Sequence, residues 1–130
     1  MRAPEFWRHD GLMAAILSPL SAIWRHRTAS RMRRTQPENV GVPVICIGNA
    51  VAGGAGKTPV AMSVADRLLM HGAKPHFLSR GYGGTTTETT LVDPSRHSAS
   101  DVGDEPLLLA RHAPTWVAQN RVAGARAAVS

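Results

Sequence analysis

Apolar positions along this chain follow two different spacings, which predict strands and helices in alternation. The continuous apolar, β-branched run 42–47 (VPVICI) is typical of a strand buried on both faces. From Lys57 onward, apolar residues recur at helical spacing until Gly72, which is a stop signal. Further strands are predicted at 74–79, 90–92 and 115–118, and further helices at 104–111 and 121–129. This order predicts an α/β domain whose parallel sheet has flanking helices.

A shorter apolar stretch, from Gly11 to Trp24, is interrupted by Ser18 and Pro19. A transmembrane helix needs about 20 apolar residues, so this stretch is too short and too broken to span a bilayer. Its apolar residues recur at helical spacing between flanking tryptophans and arginines, which is typical of a helix lying in a lipid interface. Two alternatives stay open: a helix packed on the protein's own core, and a secretory signal, which nearby acidic residues and the lack of a cleavage site disfavour.

Charge is distributed unevenly over the 130 residues. The chain has 15 Lys and Arg against 9 Asp and Glu, a net charge of +6. Residues 1–34 hold seven arginines and two acidic residues, hence +5, which leaves +1 for residues 35–130. We expect residues 1–34 to form a basic segment on an anionic membrane surface and residues 35–130 to begin the globular domain. The near-neutral remainder argues against a nucleic-acid-binding module, and nothing indicates an obligate protein partner.

Composition excludes two further classes of protein. With 43% hydrophobic residues, the chain has enough apolar side chains for a core, unlike a disordered basic tail. A single cysteine, Cys46, excludes an internal disulfide framework, and its place inside the run 42–47 predicts a small core side chain. None of the six histidines has a metal-ligand spacing to another histidine or to Cys46.

The loop between the first predicted strand and helix, GNAVAGGAGKTP (48–59), predicts phosphate binding. Its glycines let backbone N–H groups turn inward, Lys57 supplies positive charge, and Thr58 offers a hydroxyl to Mg²⁺. The usual pattern G-x-x-x-x-G-K-[ST] begins here with valine, although strand, loop and helix follow in the required order. A glycine-rich turn with a solvated lysine is the alternative. We expect ATP and Mg²⁺ as cofactors of a P-loop NTPase-like domain, bound through Val51, Ala52, Gly53, Gly54, Ala55, Gly56, Lys57 and Thr58.

Two further clusters lie where predicted strands and helices meet. SRGYGG (79–84) follows a strand at the sheet edge where ligands bind in open α/β folds, and its Arg80 is a candidate anion contact. An ordinary flexible surface loop is the alternative. GDEP (103–106) begins a helix, for which Asp104 is a natural N-cap. The alternative is that Asp104 accepts a hydroxyl proton in phosphoryl transfer.

Four segments together resemble, in order and spacing, the tetraacyldisaccharide 4'-kinase family of lipid A biosynthesis: APEFW (3–7), GNAVAGGAGKTPV (48–60), SRGYGG (79–84) and VGDEPLLLA (102–110). The resemblance implies transfer of the γ-phosphate of ATP, with Mg²⁺, to the 4'-hydroxyl of a tetraacyldisaccharide 1-phosphate, the lipid A disaccharide precursor. It implies a peripheral protein at the cytoplasmic face of the bacterial inner membrane. Asp104 with Lys57 would be catalytic, and Arg80, Glu105 and Arg121 would contact the substrate.

Members of that family continue through further metal-binding and catalytic residues and a second domain, which residues 1–130 do not contain. We therefore expect an incomplete sheet, and a chain that is the N-terminal part of the enzyme with little or no activity by itself. The resemblance also implies that residues 1–34 form the membrane-associated helix. A P-loop ATPase or kinase acting on a soluble substrate, with the N-terminal helix packed on the core, is the alternative function.

Overall fold

The computed structural model of the chain describes residues 12–34, 37–48 and 56–130, which fall into two units. The first unit ends at Glu38 and the second begins at Asn39. In the first unit, helix α1 (Leu12–Arg34) runs for 23 residues with Pro19 inside it. Within the three described ranges, no helix combines the length and apolar content needed to cross a membrane.

The second unit contains a mixed sheet of three strands, which are β1 (Phe77–Ser79), β2 (Thr90–Leu91) and β3 (Thr115–Val117). β3 lies in the centre, parallel to β1 and antiparallel to β2. The predicted α/β class is confirmed, but the prediction of a wholly parallel sheet is wrong. Parallel strands are usually joined by a helical crossover, and the chain between β1 and β2 forms no helix. β2 therefore starts near the sheet edge where β1 ends and runs in the opposite direction to β1.

The described residues of this unit also form four helices: α2 (Lys57–Met70), α3 (Ala99–Val102), α4 (Asp104–Leu109) and α5 (Arg121–Val129). α4 and α5 pack on the sheet, and α2 and α3 pack on α4. α2 ends as predicted, because Gly72 adopts φ 78°, a left-handed torsion that favours glycine. α5 begins at Asn120, whose side-chain oxygen accepts hydrogen bonds from the backbone N–H groups of Val122 and Ala123. The short helix α3 was not predicted.

The core of the second unit is small and lies between the sheet and α3 and α4. Val92, Val102 and Val117 are buried together, and the partly buried Leu107 and Ala110 pack against them. These side chains come from the end of β2, from α3, from β3 and from α4. Their packing holds the start of α4 against the central strand.

The apolar run 42–47 forms no strand in the structure. The side chains of Val44 and Ile45 are 73% and 57% exposed, and Cys46 is exposed. The predictions of a doubly buried strand and of a core cysteine are therefore wrong for the described chain. None of the three described strands pairs with this run, and an apolar run becomes a buried strand only when neighbours take its backbone hydrogen bonds and cover its faces.

Candidate active site

The predicted phosphate-binding loop is described from Gly56 onward. Gly56 precedes α2 with φ 70° and ψ 23°, a left-handed conformation that favours glycine, and its carbonyl accepts a hydrogen bond of 3.2 Å from the Val60 N–H. The remaining predicted phosphate contacts lie outside the described residues and stay predictions; they are Val51, Ala52, Gly53, Gly54 and Ala55.

The first turn of α2 is suited to an anion. Lys57 and Thr58 begin the helix and are half-buried, and no acidic residue lies in this turn. Gly56 has no side chain to cap the helix, and Pro59 has no N–H to satisfy. The N–H groups at the start of α2 and the positive end of its helix dipole are features that favour an anion.

Thr58 contacts the start of α4. Its Oγ1 donates a hydrogen bond of 2.5 Å to Oε1 of Glu105, which lies 47 positions further along the chain. The family resemblance implied Glu105 only as a substrate contact, and its pairing with Thr58 was missed. One signal in the sequence could have indicated this pairing. A threonine hydroxyl that binds a metal needs an acceptor for its proton, and GDEP places two adjacent carboxylates at a predicted helix start.

Asp104 is the first residue of α4, and Gly103 is the N-cap, with φ 91° and ψ 157°. The interpretation of Asp104 as the N-cap is therefore wrong, because the chain enters α4 through a torsion that favours glycine. The Asp104 side chain is exposed and makes no hydrogen bond or ion pair with another described residue. Its exposed carboxylate is thus the chain neighbour of the one that accepts the Thr58 hydrogen bond.

The loop after β1 carries the exposed residues Arg80 and Tyr82. The loop is anchored, because the N–H groups of Thr85 and Thr86 donate to the carbonyls of Ser100 and Asp101, at 3.0 and 2.9 Å. The SRGYGG turn therefore lies against the junction of α3 and α4. Two sequence clusters that are separate along the chain, SRGYGG and GDEP, become neighbours in the structure.

Arg121 is the first residue of α5, which packs on β1. Its Nη1 donates a hydrogen bond of 3.2 Å to the Leu78 carbonyl, near the end of the strand that leads into Arg80. In the described chain, Arg121 is thus bonded to β1 and not to the carboxylates of α4. Both arginines nevertheless lie where β1 ends, the sheet edge from which the SRGYGG turn extends.

Comparison with known proteins decides the family. The family model described as LpxK, tetraacyldisaccharide-1-P 4'-kinase, matches residues 13–130. The chain belongs to the tetraacyldisaccharide 4'-kinase family. The resemblance seen in the four sequence segments is confirmed.

Individual 4'-kinases match over nearly the whole chain. The Rhodospirillum rubrum protein is 52% identical over 124 residues, which are 95% of this chain and 38% of that protein. The Parvibaculum lavamentivorans protein is 53% identical over 134 residues, 99% of this chain and 39% of that protein. Among solved structures, LpxK from Aquifex aeolicus in complex with ATP matches with a TM-score of 0.71 and 29% identity, over 91% of this chain and 40% of that one. The chain thus spans about two-fifths of the length of these 4'-kinases.

The described part of this chain brings some of the predicted site residues together. Thr58 and Glu105 are in contact, Lys57 and Asp104 are their chain neighbours, and Arg80 follows β1 close to the Arg121 hydrogen bond. Within the described ranges no group of three or more His, Cys, Asp or Glu side chains could hold a metal ion.

Proposed function

We propose that this chain forms the nucleotide-binding part of a lipid kinase, which transfers the γ-phosphate of ATP to the 4'-hydroxyl of a tetraacyldisaccharide 1-phosphate. The observation that carries the proposal is the Thr58–Glu105 hydrogen bond. It joins the start of α2, directly after the glycine-rich loop, to the start of α4. Family membership, the names of the 4'-kinases and the ATP complex of the Aquifex aeolicus protein support it. In this proposal residues 35–130 are part of a P-loop kinase domain.

The loop that ends in α2 would hold the nucleotide phosphates. The Lys57 ammonium and the N–H groups at the start of α2 are donors for phosphate oxygens. The Thr58 hydroxyl gives its proton to Glu105 and so keeps its oxygen lone pairs for a cation. Hydroxyl and phosphate oxygens are ligands that Mg²⁺ prefers, so these residues fit the metal. Bound there with ATP, Mg²⁺ would supply positive charge to the transferred phosphoryl group.

Asp104 would act on the acceptor side of the reaction. Its exposed carboxylate is the chain neighbour of Glu105. A substrate hydroxyl bound to Asp104 would therefore lie next to the Glu105 carboxylate that accepts the Thr58 hydrogen bond. Asp104 accepts the proton of the 4'-hydroxyl as its oxygen attacks the γ-phosphorus, the bond from that phosphorus to the bridging oxygen breaks, and ADP leaves. Lys57 stabilises the charge of the phosphoryl group. Arg80 and Arg121 supply positive charge for the substrate phosphate near the end of β1.

Residues 1–34 would place the enzyme on its lipid substrate. In α1, the side chains of Ile23, Trp24 and Met32 are exposed, and Trp24 is 75% exposed. Arginines at 25 and 27 follow the tryptophan directly. Exposed apolar side chains beside arginines favour binding to an anionic membrane surface, here the cytoplasmic face of the inner membrane.

The proposal is tested in a full-length 4'-kinase that carries this sequence as its matching two-fifths. Transfer of radiolabelled phosphate from ATP to a tetraacyldisaccharide 1-phosphate is measured for wild type, Lys57→Ala, Asp104→Ala and a charge-matched control, Glu88→Ala. Loss of a charge-stabilising group or of a general base lowers kcat by about 10²–10³-fold, whereas the control keeps wild-type activity. Wild-type rates in both active-site variants would refute the proposed roles.

A further inference from the structure

The SRGYGG turn and the start of α4 approach each other backbone to backbone. Gly81 and Gly84 close the turn through a hydrogen bond of 2.9 Å from the Gly84 N–H to the Gly81 carbonyl. A β-carbon on Gly84 would lie 2.7 Å from the Asp101 carbonyl oxygen and 2.8 Å from the Gly103 nitrogen. A β-carbon on Gly103 would lie 2.6 Å from the Tyr82 carbonyl oxygen. These atoms belong to the backbone, so no side chain can rotate away to make room.

The position of Gly103 links this contact to the proposed phosphoryl-transfer residues. Gly103 is the N-cap of α4, and Asp104 and Glu105 follow it directly. Glu105 then accepts the hydrogen bond from Thr58 at the start of α2. A continuous series of contacts therefore leads from the turn that carries Tyr82, through Gly103, to the threonine of the phosphate-binding loop.

We propose that Gly84 and Gly103 are positioning residues for phosphoryl transfer. Because both residues lack a β-carbon, the SRGYGG turn can pack directly against the start of α4. This contact sets the distance between Asp104, on the acceptor side of the reaction, and the Thr58–Glu105 pair. The inference rests on the proposed kinase function and adds to it a reason for glycine at two positions whose added β-carbons would meet backbone atoms. A substitution at Gly84 acts through Glu105, and so changes the response to Mg²⁺.

The chain offers a matched control for this proposal. Gly84 is not among the glycines with positive φ, so an alanine there meets only the steric conflict. Gly83 has φ 85° with nothing within 4 Å of an added β-carbon, so an alanine there meets only torsional strain. Comparing the two substitutions separates the seating of the turn on α4 from a general loss of stability.

The experiment uses the same full-length 4'-kinase and titrates Mg²⁺ at saturating ATP and lipid acceptor. A misplacement of about 1 Å can cost about 10²-fold in rate, so Gly84→Ala is expected to lower kcat by up to that factor and to raise the half-saturating Mg²⁺ concentration about fivefold. Gly83→Ala should leave the half-saturating Mg²⁺ concentration within about twofold of wild type, even if its melting temperature falls. A merely destabilised enzyme loses rate without changing this concentration.

A milder pair of variants keeps the test decisive if Gly84→Ala fails to fold. Thr85 Oγ1 donates a hydrogen bond of 3.1 Å to the Ser100 carbonyl, so Thr85→Val weakens the seating of the turn and Thr85→Ser preserves it. Thr85→Val should raise the half-saturating Mg²⁺ concentration and Thr85→Ser should not. If the wild type is active and a folded Gly84→Ala or Thr85→Val variant keeps the wild-type half-saturating Mg²⁺ concentration, this inference alone is overturned. A wild type that phosphorylates no lipid would overturn the proposed function as well.

Discussion

Replacing Glu105 by alanine removes the carboxylate that accepts the Thr58 hydroxyl proton at 2.5 Å, and we expect Mg·ATP to bind about tenfold more weakly. Without that acceptor, the hydroxyl proton has no fixed direction, and the oxygen lone pairs are no longer held ready for a cation. The predicted loss therefore concerns the metal–nucleotide complex. Binding of ATP without Mg²⁺ should change little.

The magnitude follows from the geometry of the bond. A hydrogen bond to a charged group contributes about 1.5–3 kcal/mol, and the loss of Mg·ATP affinity is the part of this energy that is gained only when the Thr58 oxygen also binds the cation. Both side chains reach solvent, and Thr58 is half-buried, so screening places the contribution at the lower end of this range. A value of about 1.4 kcal/mol corresponds to a tenfold change in a dissociation constant.

A double-mutant cycle measures the coupling directly. Titration calorimetry of Mg·ATP is performed on the full-length 4'-kinase with Thr58→Val, Glu105→Ala and the double variant, and with Glu88→Ala as the charge-matched control. Thr58→Val also removes the hydroxyl oxygen proposed to meet the cation, so it should weaken Mg·ATP binding more than Glu105→Ala does. Because Glu105 acts through that hydroxyl, adding Glu105→Ala to Thr58→Val should cause no further loss. Additive losses, or wild-type affinity in Glu105→Ala, would refute the reasoning.

Three further predictions concern stability and membrane contact. Hydrogen bonds from the Ser98 hydroxyl and then from the Ser98 N–H lower the pKa of Asp101 below its usual value. The stabilisation from these bonds is present above the unfolded pKa of about 3.9 and is lost as pH falls through the folded pKa. In Asp101→Asn, the free energy of unfolding in urea should therefore fall less between neutral pH and acid below about pH 4 than in the wild type. Asn120→Ala removes the cap of α5 and should cost about 1 kcal/mol in urea unfolding, whereas Asn120→Asp should cost less. Trp24→Glu should reduce the fraction of protein that floats with anionic vesicles, whereas Met70→Glu, equally exposed in the second unit, should not. Equal losses in the two variants would count against α1 as the membrane contact.

The parts of the fold that the sequence predicted correctly are those set by local signals. Helix α2 follows from its apolar spacing and from the stop at Gly72, and α5 was placed with its observed bounds. The strands β1 and β3 lie inside the predicted ranges, slightly shortened. Each of these elements depends on residues that are close in the chain, which periodicity and end signals report directly.

The predictions that were wrong depended on distant parts of the chain. The run 42–47 has the composition of a buried strand, but burial requires neighbouring strands and covered faces that no local pattern supplies. The direction of β2 follows from the path of the loop after β1, which β-propensity does not encode. Gly103 takes the N-cap position expected of Asp104 because it must also fit against the Tyr82 carbonyl.

The candidate site was predicted as a set of residue types, and its connections were not. The chemistry of Lys57, Thr58 and Asp104 is readable from their motifs, because phosphate and proton transfer need those groups at those spacings. The Thr58–Glu105 hydrogen bond joins positions on separate helices. Only the folded chain shows that the start of α4 contacts the start of α2.

The position of the transferred phosphate tests the central claim most directly. The full-length 4'-kinase carrying this sequence is incubated with ATP, Mg²⁺ and a tetraacyldisaccharide 1-phosphate, and the product is analysed by mass spectrometry and ³¹P NMR. We predict one added phosphate, on the 4'-oxygen, formed by the wild type and lost together with activity in Asp104→Ala. Hydrolysis of ATP without a phosphorylated lipid, or undiminished 4'-phosphate formation by Asp104→Ala, would contradict the account.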